Sequence, residues 1–203
     1  MNDTIGNIVI GLVLVLMSNT IQGQETEGRA YYELIKKTMS KDTLIDDLTE
    51  KLIRGRMATG RMTKEDSTRY YNIIKARKLV LHKNTCNETA RKALKRALEE
   101  KTVIRDPLVA EKVETALKNV PPKETSFNTI QLGNEIELKE EHQNSNIYHE
   151  FSSPINVNLE EHQYLVYHLR STGKYNYKTE IIIFSVKPSG NYKIDERILL
   201  SYH

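Results

Sequence analysis

The sequence predicts an α+β fold in which N-terminal amphipathic helices are followed by a C-terminal antiparallel β-meander of four to five strands. Three observations carry this expectation. The runs Gln163 to Arg170, Glu180 to Val186 and Tyr192 to Tyr202 are dense in Val, Ile, Tyr and Phe, as strands require. They are separated by turn chemistry at Ser171 to Lys174 and at Pro188-Ser189-Gly190-Asn191. From about Thr26 to Lys118 the apolar residues instead recur at helical spacing.

The N-terminus stands apart from both regions. Ile5 to Met17 is an apolar block followed at once by Ser18-Asn19-Thr20. Its length suits the apolar core of a signal peptide better than a membrane-spanning helix of about 17 to 25 residues. Residues 1–24 are therefore read as a signal peptide, with cleavage near Gly23 or Gln24, and the chain as periplasmic or secreted. Asp3, the absence of Lys or Arg ahead of the block, and Arg29, Lys36 and Lys37 beyond it run against the usual charge order. An uncleaved membrane anchor at residues 5–17 and a buried core segment are the alternatives.

Residues 25–120 form the helical region. Leu44, Ile45, Leu48, Leu52 and Ile53 share one helical face, with Gly55 expected to end that helix. Thr63 to Asp66 has the form of a capping box ahead of a helix carrying Tyr70, Ile73, Ile74 and Leu81. Thr85 to Glu88 is a second box, ahead of Ala90, Leu94, Ala97 and Leu98. Asp106-Pro107 is a third start, leading into Val109, Val113, Ala116, Leu117 and Val120, and Pro121-Pro122 ends that helix. Each helix has only one apolar stripe to bury, so the helices must pack on one another or on the sheet.

Charge divides along the chain. Residues 25–123 carry 23 Lys and Arg against 15 Asp and Glu, whereas residues 124–203 carry 7 against 11. The excess is greatest between Lys51 and Arg105, with 16 basic and 5 acidic residues. A positive helical surface can meet nucleic acid, anionic lipid or another anionic polymer, or the acidic half of its own chain, or be an ordinary solvated face. Arg54, Arg56, Arg61, Arg91, Lys92, Lys95 and Arg96 are the candidate polyanion-binding residues. Export argues against nucleic acid and leaves a protein or anionic polymer of the envelope as partner.

Residues 121–129 read as a linker and 130–203 as the β region, with Ile136 to Glu140 a short strand or edge and Gln143 to Asn146 a loop. Alternation places Tyr192, Ile194, Ile198 and Leu200 on one face of the last strand and Lys193, Asp195 and Arg197 on the other. Ile181 to Phe184 is apolar on both faces, so that strand is expected to be central, with the helices covering the side not covered by the loops.

The order Phe151-Ser152-Ser153-Pro154-Ile155, Tyr164 to Tyr167, Ile181 to Phe184 and Gly190-Asn191-Tyr192-Lys193-Ile194 resembles the C-terminal segment of uncharacterised exported proteins and lipoproteins of Bacteroidetes. The resemblance covers about the last quarter of the chain and implies a β-meander and export, with no activity. This chain departs from the pattern at Tyr192, where the relatives usually have Trp. It departs again at Ser171 to Tyr177, which replaces a cysteine- and glycine-rich turn.

Chemical motifs are sparse. Glu140-Glu141-His142-Gln143 with His149 is echoed by Glu160-Glu161-His162-Gln163 with His168, a donor set that suits zinc or copper. The spacing fits no metal site, and on one strand His162 and His168 would stand about 20 Å apart at roughly 3.3 Å per residue. No metal ligand and no cofactor are assigned. Ser152 and Ser153 precede Pro154 without a nucleophile elbow, and no glycine-rich phosphate loop is present. Cys86, the single cysteine, reads as a small residue at a helix start rather than a reactive thiol, and allows no disulfide within the chain. Tyr164, Tyr167, Tyr175, Tyr177 and Tyr192 could line a ligand or glycan surface or be cross-strand packing. The expected function is a non-catalytic, envelope-associated binding or interaction protein. A small hydrolase or metal-dependent enzyme is the alternative, and a nucleic-acid- or polyanion-binding helical module the third.

Overall fold

A computed structural model describes residues 27–43, 47–75, 79–100, 103–133, 136–140, 147–171 and 177–202. The leader at 1–24, Leu44, Ile45, His142, the loop Gln143 to Asn146 and Tyr175 lie outside the described residues, as do the side chains of Leu48 and Ile74.

Helix α1 (residues 27–40) runs into a 3-10 turn at Lys41–Thr43. The helices α2 (Asp47–Ala58) and α3 (Lys64–Lys75) follow, then strand β1 (Leu79–His82), α4 (Asn87–Glu99), α5 (Pro107–Asn119) and the single turn α6 (Thr129–Leu132). The strands β2 (Ile136–Lys139), β3 (Ile147–Phe151), β4 (Ile155–Asn158), β5 (Gln163–Ser171), β6 (Tyr177–Val186) and β7 (Tyr192–Tyr202) complete the chain.

The α+β class holds, but the sheet is mixed and the helices are not confined to the N-terminal side of the strands. Among the described residues, seven strands form one sheet, six of them in the order β2-β1-β3-β5-β6-β7 and β4 pairing with β5. β1 is parallel to both β2 and β3, while β3, β4, β5, β6 and β7 pair antiparallel. The parallel pairs require long crossovers, and α4 and α5 supply one between β1 and β2. Leu81 therefore belongs to a strand and not to the helix of Tyr70 and Ile73, which stops at Lys75. A four-residue run, Leu79-Val80-Leu81-His82, buried on both faces carries no period that separates strand from helix.

Helices cover both faces of the sheet, where loops were expected on one, because β5 and β6 present apolar side chains to either side. On one, Ala30, Tyr31, Leu34, Ile35 and Met39 of α1 pack on Leu81, Phe151, Val166, Ile182 and Phe184. On the other, Leu94 of α4 and Val109, Val113 and Ala116 of α5 pack on Ile155, Leu165, Ile181 and Ile183. Strand β6 has neighbours on both edges and apolar residues on both faces, as its unbroken Ile181 to Phe184 run requires.

The expected single face of β7 is broken by a register slip. Phe184 pairs with Ile194 but Ile183 pairs with Glu196, so one extra residue stands at the bulge. Tyr192 and Ile194 consequently join the α1 side, whereas Ile198 and Leu200 join the α4 and α5 side. Arg197 leaves its expected neighbours Lys193 and Asp195 and meets Glu180 on the α1 side.

Two of the three helix starts form as read. Thr63 and Asp66 cap each other reciprocally at 3.1 Å, and Asp106 accepts from the Leu108 amide with Pro107 at the first helical position. Thr85 does not cap α4: its hydroxyl accepts from the Thr125 amide, and Cys86 is the cap residue without a side-chain bond. Gly55 lies inside α2, and the chain turns out of it at Gly60, whose φ of 68° suits a residue without Cβ. The Pro121 to Ser126 stretch, expected to be a linker, is pinned beside β1: the Thr85 amide donates to Thr125, Asn84 bridges to Ser126, and Phe127 is buried.

Candidate functional site

The described residues contain two features of functional character: a row of buried polar side chains beneath the end of α1, and an open cleft beside α4.

The row begins with β-sheet periodicity. His149, Phe151, Val166, His168, Glu180 and Ile182 all point to the α1 side, because alternate residues of a strand share a face. Antiparallel pairing sets Phe151 opposite His168 and His149 opposite Arg170, which brings the two imidazoles diagonally together. His149 Nδ1 lies 3.0 Å from His168 Nε2, with the rings 3° from parallel, and Phe151 stacks on His168 at 4.3 Å. His168 Nδ1 is 2.9 Å from Glu180 Oε1, which also accepts from Arg197 at 2.8 Å, while Glu180 Oε2 accepts from Lys178 at 2.9 Å. At the other end Asp42, on the 3-10 turn, places Oδ2 3.1 Å from His149 Nε2 and accepts from Arg170 Nε at 2.7 Å through Oδ1. Arg197 also donates to the Thr38 hydroxyl of α1.

Charge states follow from burial and partners. Burial lowers the affinity of both imidazoles for a proton, His168 to about 4, despite the neighbouring carboxylates. Burial would raise Glu180, but His168 and Lys178 hold it down at about 2. Burial likewise opposes Asp42 ionisation, and its contacts with His149 and Arg170 outweigh it. At neutral pH the row is two carboxylates, three cations and two neutral rings.

The sequence repeat marked His149 and His168, and the sheet brings those two together. His162 lies elsewhere, in the β4–β5 turn at a φ of 47°, with its side chain mostly exposed. Among the described residues no cluster of three or more His, Cys, Asp or Glu has the arrangement to hold a metal ion. Asp42, Glu180 and Arg197 escaped the sequence reading, because 138 residues of chain separate Asp42 from Glu180.

The cleft, of about 460 Å³, opens between α4 and the outer face of β5, β6 and β7. Ala93, Ala97, Val103 and Leu200 give it apolar surface, Tyr167 and Tyr177 supply aromatic rings, and Thr89, Thr179 and Ser201 supply hydroxyls. The Thr179 and Ser201 hydroxyls are hydrogen-bonded at 2.6 Å, and Lys92, Arg96 and Glu100 stand along the α4 side. Tyr167 is buried against Cys86 and Ala90, whereas Tyr177 is at the exposed rim. Of the other tyrosines considered as a ligand surface, Tyr164 and Tyr192 pack around Phe184 beneath α1.

The seven basic candidates fall on two elements. Arg54 and Arg56 are exposed on α2, with Arg61 in the turn that follows it. Arg91, Lys92, Lys95 and Arg96 lie on α4, where Lys92 pairs with Glu88, Lys95 with Glu99 and Arg96 with Glu100. Arg91 donates to the Val120 carbonyl and ties α4 to the end of α5. The α4 stripe is thus balanced by acidic residues one turn away. Ser152 is fully buried, its hydroxyl donating to Ser153 O and accepting from the Tyr167 amide. Cys86 is buried, and its thiol is pushed up by that burial and by Glu150.

No family model, no curated protein and no solved structure matches the chain. The fold and the site define it as a two-faced α+β domain with a mixed aromatic and hydroxyl-lined cleft on its outer face.

Proposed function

We propose that this chain is an exported, non-catalytic binding protein of the cell envelope that takes a small glycan-like ligand in the cleft beside α4. The carrying observation is the lining itself: the exposed ring of Tyr177 stands beside Thr89, Thr179 and Ser201, over a floor closed by the buried Tyr167, in a concavity of about 460 Å³. Ligand sites of this size are common, and sugar-like molecules present both an apolar ring face and hydroxyls to such a wall. Arg96 adds a charged donor at the rim. Export is supported by the apolar Ile5 to Met17 block and its polar exit, and by the resemblance of the last quarter of the chain to exported proteins of Bacteroidetes.

Titration calorimetry with neutral and anionic disaccharides tests the cleft. Binding by the unaltered chain, lost in Ala97→Trp, which fills the space, and weakened in Tyr177→Ala, is the expected result. Failure of every disaccharide to bind, or equal binding by Ala97→Trp, would overturn the reading. N-terminal sequencing of the native protein tests export: a chain beginning near Glu25 is expected, and an intact Met1 in a soluble cytosolic fraction contradicts it.

A further inference from the structure

Of the basic candidates, those on α4 are balanced by their own helix, and those of the α2–α3 hairpin are not. Between Lys51 and Ile73 six cations are exposed, Lys51, Arg54, Arg56, Arg61, Lys64 and Arg69, against two exposed carboxylates, Glu65 and Asp66. Asp66 is already held by the amide and hydroxyl of Thr63. Among the described residues Lys51, Arg56, Arg61, Lys64 and Arg69 have no carboxylate within ion-pair distance, whereas Lys92, Lys95 and Arg96 of α4 each have one a turn away.

The same hairpin leaves apolar surface in solvent. Of the nine large apolar side chains exposed among the described residues, four lie on it: Leu52, Met57, Tyr70 and Ile73. Leu52 and Ile73 are 57% and 54% exposed, and no described side chain of α2 or α3 enters the cores on the two faces of the sheet. Residues four apart share a helix face, so Arg56 stands one turn from Leu52 on α2 and Arg69 one turn from Ile73 on α3. Each of the two exposed aliphatic side chains therefore has a cation beside it.

We propose that the α2–α3 hairpin docks on the surface of a bilayer containing anionic phospholipid, with Leu52 and Ile73 entering the acyl boundary and Arg56, Arg61 and Arg69 meeting headgroup phosphates. Such a surface uses both halves of the pattern, because it attracts basic side chains and buries aliphatic ones just beneath its charged layer. Nucleic acid would use the cations but gain little from Leu52 and Ile73, and for stacking on bases the hairpin exposes one aromatic ring among its described residues, Tyr70. A protein interface gathers its apolar residues into a charge-depleted centre, whereas here cations alternate with them. The hairpin shares no residue with the cleft beside α4, so the two sites are separate.

Co-sedimentation of the native chain with vesicles of phosphatidylcholine alone, or of phosphatidylcholine mixed with phosphatidylglycerol, tests the docking. Binding to the mixed vesicles is expected to be about tenfold or more the tighter, and to weaken by about tenfold or more from about 50 to about 500 mM salt. These two readouts need no variant. The triple variant Arg56→Gln, Arg61→Gln, Arg69→Gln is expected to lose about a hundredfold, at roughly fivefold per charge. Leu52→Ser with Ile73→Ser is expected to lose about tenfold, and Lys95→Gln on the balanced α4 stripe to change nothing. All these side chains are exposed, and unchanged urea midpoints check that the variants fold. Absence of binding, or equal binding to the two vesicles, would overturn the proposal. So would binding that survives the triple variant, which would place attachment in the Ile5 to Met17 block. Arginine substitutions that weaken binding to a single-stranded oligonucleotide and leave vesicle binding intact would overturn it in favour of nucleic acid.

Discussion

His149 and His168 stand 19 residues apart in sequence, yet their facing nitrogens are 3.0 Å apart and their rings parallel within 3°. Antiparallel pairing of β3 with β5 creates that contact, and Phe151, stacked on His168, fixes the plane of both rings. The histidines thereby become part of the packed interior and not a solvent-facing polar pair, and stability inherits their titration.

Stability is expected to fall in acid, in two separable windows. The imidazoles are depressed in the folded chain, so the unfolded chain binds their protons first as pH drops below about 6.5. Their contribution is present in full above that pH and diminishes down to about 4, by on the order of 3 kcal/mol for the pair acting as one site. Glu180, held at about 2, contributes above its ordinary range near 4.5 and loses that contribution as pH falls from there toward 2. Urea midpoints at pH 7.5, 5 and 3 check both steps, and a midpoint unchanged between pH 7.5 and 5 would contradict the first.

Glu180→Gln is expected to cost about 3 kcal/mol, because the amide oxygen can still accept from His168 but the negative charge that Arg197 and Lys178 face is gone. Chemical denaturation at pH 7 measures it. A loss below about 1 kcal/mol would show that water replaces the carboxylate freely.

Truncation on either face of the sheet should be costly. Leu34 of α1 and Leu94 of α4 are both fully buried, in the two opposite cores. Leu34→Ala and Leu94→Ala are each expected to lose roughly 3 kcal/mol. Thermal unfolding of the two variants side by side tests whether α1 contributes as much as the helices opposite it.

Cys86 should resist alkylation in the folded chain. It is 4% exposed, and burial with the nearby Glu150 disfavours its thiolate, the reactive form. Iodoacetamide at pH 8 is expected to leave it unmodified in native conditions and to label it fully in concentrated denaturant. Rapid native labelling would place the thiol outside the core.

The strands β5, β6 and β7 were legible because each is long and rich in β-branched and aromatic residues. The helix starts at Thr63 and Asp106 were legible because capping is local chemistry between neighbours three residues apart or closer. β1 was not, since four residues buried on both faces have no polar punctuation. The slip in β7 was hidden too, because a bulge is a relation between two strands, and the Asp195-Glu196 pair does not announce it. At the candidate site, Tyr167, Tyr177, His149 and His168 could be singled out by residue type, and Tyr164 looked the same yet went into the core, with Tyr192 half-buried against its edge.

The sequence by itself determined which segments are apolar on one side or on two, and so the α+β class and the need for helices over the sheet. The tertiary structure alone decided that β1 threads between β2 and β3, that α1 and the α4–α5 pair take opposite faces, and that Asp42 closes over His149. The physical reason is range. Propensity and capping act over a few residues, whereas strand order and a polar row assembled from residues 42, 149, 168, 180 and 197 depend on which distant surfaces bury one another best.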